Sequence, residues 1–109
     1  MTLSEWAKIQ VSSVVKNVQE NYCQEIKGLG SMLTQNGIYG TLAFYKVKKA
    51  NKPAAETIIS QFKRLALDYL KIENLEDFPE LSNSQYLKLQ ALAVEATSWL
   101  RRYADILLR

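Results

Sequence analysis

The chemistry open to this chain is narrow. It has no His and a single Cys, Cys23. That removes imidazole acid/base catalysis, Ser-His and Cys-His nucleophiles, an internal disulfide, and metal sites built from several imidazole or thiolate ligands. A Gly-rich phosphate loop of the P-loop kind is also missing from the sequence. Glu20 with Glu25, or Glu76 with Glu80, would supply a carboxylate pair, yet no polarising group stands beside either in sequence. What remains is positive charge. Lys46, Lys48, Lys49 and Lys52 crowd one short stretch, after a run from Ile26 to Tyr45 in which Lys27 is the sole charge. Such lysines suit phosphate oxygens as mobile point charges; they equally suit a solvated surface that complements a helix C-terminus. Arg101 and Arg102 are the second basic feature. On a helix they diverge by about 100°, so they do not share one flat face. Asp105 is within ion-pair reach of Arg101 at i,i+4 or of Arg102 at i,i+3.

The elements that must carry these charges read as helices. Leu3, Trp6 with Ala7, Val11, Val14 with Val15, Val18, Tyr22 and Ile26 recur three or four apart, predicting one long helix capped by Thr2 or Ser4. Gly28 and Gly30, both poor helix formers, predict its end. From Ser31 to Lys49 the helical spacing resumes through Met32, Leu33, Ile38, Leu42, Phe44, Tyr45 and Val47. Asn36-Gly37 and Gly40 interrupt it, marking either a bend or a close helix crossing. Pro53 is placed in the first turn of the next helix, whose buried stripe is Ala55, Ile58 with Ile59, Phe62, Leu65 with Ala66, and Tyr69 with Leu70. Ile72 to Leu81 is acidic and poorly periodic and reads as the longest connector. Ser82 with Gln85 then matches a capping box. Beyond it, Tyr86, Leu89, Ala93, Ala96, Leu100, Tyr103 and Leu107 form a stripe, widened by Leu92, Trp99 and Ile106 beside it. Trp99, at the margin, is either packed core or the anchor of a subunit interface.

With 109 residues, 48% hydrophobic and 23% charged, the chain is one domain over residues 1–109. Only four Gly and two Pro punctuate it, and no Asn-Gly lies between alternating apolar runs, which disfavours a sheet of tight turns. The fold class expected is all-α, a compact bundle of four or five helices, because so wide a last stripe must touch more than one neighbour. No apolar run approaches the roughly 18 residues of a membrane span, and no signal peptide is seen, so the cytoplasm is the expected compartment. A net charge of +3 permits a phosphate-rich partner without demanding one.

Two blocks carry a resemblance. Leu29-Gly-Ser-Met-Leu-Thr-Gln-Asn-Gly-Ile-Tyr-Gly-Thr-Leu-Ala-Phe44 follows an upstream Tyr22 and precedes the basic stretch; Glu95-Ala-Thr-Ser-Trp-Leu-Arg-Arg-Tyr-Ala104 lies toward the C-terminus. In that order they resemble the small helical subunit of type III-B CRISPR effector (Cmr) complexes. The sequence departs from that pattern at Leu29-Gly30, where Leu-Pro is usual, and at Tyr45, where an aliphatic residue is common. The resemblance implies a non-catalytic, all-helical subunit without a cofactor, acting in antiviral defence. It would line the groove of a ribonucleoprotein beside guide RNA and target RNA, with other Cmr subunits and further copies of itself as partners. No membrane or small-molecule substrate is expected. Under that resemblance Lys46, Lys48, Lys49, Lys52, Arg101 and Arg102 become the expected RNA contacts and Trp99 the expected subunit contact.

Two other readings compete. A free-standing helical nucleic-acid-binding regulator needs polar and basic residues at the start of a recognition helix, where the helix after Ser82 offers only Lys88. A small helical enzyme lacks the groups named above. Cys23 reads as a small packed residue.

Overall fold

The computed structural model describes residues 1–108. It contains four α-helices, α1 (Leu3–Ser12), α2 (Gln19–Lys48), α3 (Ala55–Leu70) and α4 (Asn83–Leu107), with short 3-10 turns at Lys16–Val18 and Leu75–Asp77. No strand occurs among the described residues. The all-α bundle is therefore as expected. Helix α4 packs on α1, α2 and α3, and α2 packs on α3 as well. The buried side of α4 is Leu89, Ala93, Ala96, Thr97, Leu100 and Ala104, the small residues letting neighbouring helices approach closely. Leu107 and Ile106, placed in or beside the stripe from spacing, are instead 40% and 69% exposed at the helix end.

The N-terminal caps of α1 and α4 are capping boxes. Thr2 rather than Ser4 caps α1, its hydroxyl accepting from Glu5 N while the Glu5 carboxylate accepts from Thr2 N. Ser82 and Gln85 do the same for α4. Each box satisfies donors that a helix start leaves without intrahelical partners.

The first boundary differs from the sequence expectation. Helix α1 stops at Ser12, not near Ile26, and Val15 is extended at φ −68°, ψ 147°. Ser12 and Ser13 donate their hydroxyls back to Lys8 O and Ile9 O, the local bonding by which serine competes with helix continuation. Two β-branched residues follow, which adds to the break. Val11 and Val14 stay buried on either side of it, so the apolar spacing runs through a turn that it does not reveal. Gly28 and Gly30 do not end a helix. They lie inside α2, where a Cβ at either would meet nothing within 4 Å; packing of Tyr22, Ile26, Leu29 and Leu33 carries the helix past them.

The interruption at Asn36-Gly37 is a bend. Gly37 takes φ 72°, ψ 172°, outside helical geometry, a left-handed conformation that favours glycine. A Cβ there would also lie 2.5 Å from Tyr86 Oη. Gln90 of α4 fills the gap in the ladder: its Oε1 accepts from Ile38 N at 2.7 Å and its Nε2 donates to Leu33 O at 2.8 Å. One side-chain amide thus stands in for a missing peptide and satisfies both backbone groups freed by the bend.

Pro53 precedes α3 rather than lying in its first turn. The helix begins at Ala55, and Asn21 Oδ1 accepts from Ala54 N at 2.9 Å, fixing its start to α2. The connector after α3 is less loose than its sequence suggests. Ile72 and Leu75 are buried, and Lys71, Asn74 and Phe78 all have positive φ, folding the segment tightly onto the bundle.

Candidate nucleic-acid interface

The expected basic residues occupy two separate places. Lys46 and Lys48 lie in the last turn of α2, Lys49 is its C-cap and Lys52 lies just beyond, where positive charge also complements the helix dipole. The arginines sit near the end of α4, against the N-terminal half of α2: Arg101 Nη1 reaches Lys27 O at 3.5 Å. From Lys27 to Lys48 the path along α2 is roughly 30 Å at 1.5 Å per residue, with the Gly37 bend between. The lysines and the arginines therefore lie at separate ends of α2.

At the lysine end, two of the four charges are engaged inside the molecule. Lys46, half-buried, donates to Glu76 O and lies 5.1 Å from the Phe78 ring centroid, pinning the connector to α2. Lys52 pairs with Glu25 at 2.9 Å, and the same carboxylate accepts from Tyr45 Oη at 2.9 Å. Burial, and next the bonded Glu25 carboxylate, push the Tyr45 phenol well above its usual range. The Glu25 side chain is 14% exposed and that of Lys52 29%, so the pair is partly shielded from solvent and Lys52 is engaged within the fold.

The other two charges are available. Lys49 pairs with Glu56 at 2.6 Å, but both side chains are well exposed, and such a pair is weak and exchangeable. Lys48 is half-buried, and its Nζ enters no ion pair among the described residues. The positive potential offered outward from this end is therefore carried by Lys48 and Lys49.

At the arginine end, α2 and α4 leave an open groove of about 620 Å³. Lys27 and Ser31 line the α2 side, and Ser98, Arg101, Arg102 and Asp105 the α4 side. The Arg102 guanidinium lies 5.0 Å over the Trp99 ring, which stacks on Tyr103 at 6.4 Å. Trp99 is half-buried against the core, so it is in part the packed residue that spacing allowed and in part the platform of Arg102. Sequence reasoning did not find Lys27 and Ser31 as neighbours of the arginines, since only the packing of α2 on α4 joins them; Ser98, three and four residues before the arginines on α4, was within reach of helix spacing and was missed. Nor did it find Glu25, Glu56 and Glu76 as the partners of the lysine end.

The rest of the chemistry stays structural. No cluster of three or more His, Cys, Asp or Glu able to hold a metal ion occurs among the described residues, and no helix there is long and apolar enough to cross a membrane. Cys23 is half-buried beside the core. Glu76, one of the carboxylates considered for acid/base work, is held by Lys63 at 2.9 Å, which lowers its pKa below the ordinary 4.5.

Comparison with known proteins places this arrangement in a lineage. A family model described as CRISPR-associated protein (Cas_Cmr5) matches residues 3–107. The chain is 35% identical to the CRISPR system Cmr subunit Cmr5 of Thermotoga maritima over 108 residues, covering 99% of this chain and 83% of the relative. No solved structure matches at a significant level. The family match spans all four helices, the lysine end and the arginine groove alike, and the chain belongs to the Cas_Cmr5 family of CRISPR-associated proteins.

Proposed function

We propose that this chain is a non-catalytic subunit of a type III-B Cmr ribonucleoprotein in the cytoplasm. There it assembles with other Cmr subunits and further copies of itself, and steadies guide RNA and target RNA during antiviral defence. The full-length likeness to a Cmr subunit supports the assembly. The absence of His from the sequence, with no P-loop, supports a role without catalysis.

The observation that carries the RNA contact is the uncommitted charge of Lys48 and Lys49 at the end of α2, one outside any ion pair among the described residues and one in an exchangeable pair. A subunit used with many guides contacts the backbone rather than the bases, and mobile ammonium groups suit that task. Lys46 and Lys52 support this surface from behind by holding the connector and Glu25. Arg101 and Arg102 stand outside it. With a net charge of +3, the isolated chain holds RNA weakly; neighbouring subunits raise its effective concentration.

Affinity purification of the tagged chain from its native host tests the reading. Guide RNA and other Cmr subunits should co-purify, and the isolated chain should neither cleave RNA nor hydrolyse ATP. Purification of the chain alone, or metal-dependent RNA cleavage that tracks its peak through repurification, contradicts it.

A further inference from the structure

The groove between α2 and α4 is left without a role by RNA contact at the lysine end. We propose that it receives an acidic amphipathic helix from a different protein subunit of the complex, a proposal that rests on reading the chain as such a subunit. Three cations, Lys27, Arg101 and Arg102, line the groove against one acid, Asp105. The charge thus calls for a partner bearing carboxylates.

The lining and its apolar continuation favour protein over RNA. Arg102 lies over Trp99, which orients its planar fork, and Arg101 reaches Lys27 O at 3.5 Å; such forks match carboxylates in bidentate fashion, as they do phosphates. No aromatic ring lines the groove among the described residues, so it offers no stacking platform for bases. Gly30, Ser31 and Ser98 are small and let a backbone come close.

Apolar surface continues the groove along α4. Leu87 is 67% exposed and Val94 38%, and with Arg101 they recur every seven residues, which keeps them on nearly one face. That face runs roughly 20 Å, enough for three to four turns of a helix with apolar residues at one end and carboxylates at the other, laid into the groove. A second copy of this chain does not supply such a helix. None of its four helices carries more than two acids, and Glu25, Glu56 and Asp68 are already paired with Lys52, Lys49 and Arg64; the acids of the connector lie around a 3-10 turn between left-handed residues, with Glu76 paired with Lys63.

The test places a benzophenone amino acid at position 98, in place of the exposed Ser98, in a complex reconstituted with the remaining Cmr subunits and guide RNA. Irradiation should yield a crosslink to a helical segment of another subunit that carries carboxylates. Arg101→Glu with Arg102→Glu should lower its yield at least tenfold, and exchanging the partner's carboxylates for lysine should restore it. A crosslink to RNA, to a second copy, or to a segment without carboxylates overturns the proposal. So does the absence of any crosslink while the chain remains in the complex. Exclusion of the unmodified chain from the complex contradicts the subunit reading itself and removes the partner with it, so the two failures are told apart.

Discussion

The two basic ends of the molecule hold similar formal charge and use it differently. At the lysine end, four ammonium groups meet two carboxylates and a backbone carbonyl from elsewhere in the fold, and only Lys48 and Lys49 have charge to offer outward. At the arginine end, Arg101 and Arg102 are positioned by a carbonyl and an indole, and their charge stays directed into an open groove. A count of cations along the sequence does not distinguish these cases. What decides is which acceptors the fold delivers to each cation.

Breaking the frame beneath the arginine end has the largest expected effect. Leu100, 1% exposed in the middle of the α4 stripe, should cost about 2 to 5 kcal/mol on substitution by Ala, read from urea unfolding. A change near zero would place the buried face of α4 elsewhere.

Next comes the clamp between the two ends. Gln90→Leu keeps much of the volume but strips the bonds to Ile38 N and Leu33 O, leaving two backbone groups unpaired at the bend. Stability should fall by about 2 to 3 kcal/mol, with faster hydrogen exchange at Ile38 in particular. Unchanged exchange there would mean that the bend does not depend on Gln90.

The lysine end gives smaller and graded effects. Glu25→Gln weakens the partly shielded tie to Lys52 while leaving a partner for Tyr45, and should cost about 1 to 2 kcal/mol. Lys49→Ala, which breaks only an exposed pair, should stay within about 0.5 kcal/mol. Equal costs for the two substitutions would erase the distinction between engaged and available lysines. The pH dependence has a definite sign. Because Lys63 and the neighbouring positive charge lower the pKa of Glu76 in the folded chain, its contribution is complete above the ordinary value of 4.5 and fades as the pH falls through the lower folded value. Glu76→Gln should flatten the acid limb of the stability profile and leave the neutral region's pH dependence unchanged.

Much of this frame is legible in the sequence. The stripe of α3 is buried at Ala55, Ile58, Ile59, Phe62, Leu65 and Ala66, with Tyr69 and Leu70 half-buried at its end, and the Ser82–Gln85 box forms as expected, because period and cap agree. The α1–α2 break is not legible, since Val11, Val14 and Val18 keep helical spacing through a turn made by serine side chains. The glycines mislead in one place and inform in another: Gly28 and Gly30 are carried by packing, whereas Gly37 is required by its φ. Gln90 has no signature at all, because a single polar residue that repairs a distant helix leaves no period. For the same reason Lys46 and Lys52 look identical to Lys48 and Lys49 until Glu76 and Glu25 are folded against them.

The interaction of the lysine end with RNA is tested most directly by the salt dependence of target RNA affinity in the assembled complex, with Lys48→Glu and Lys49→Glu introduced together and subunit content verified. The account predicts intact assembly, lower affinity, and a log–log salt slope flattened by about 0.7 to 0.9 for each phosphate that a lysine no longer neutralises. An unchanged affinity and slope in an intact complex would contradict it, leaving Lys48 and Lys49 as solvated surface and the chain as a spacer between other subunits.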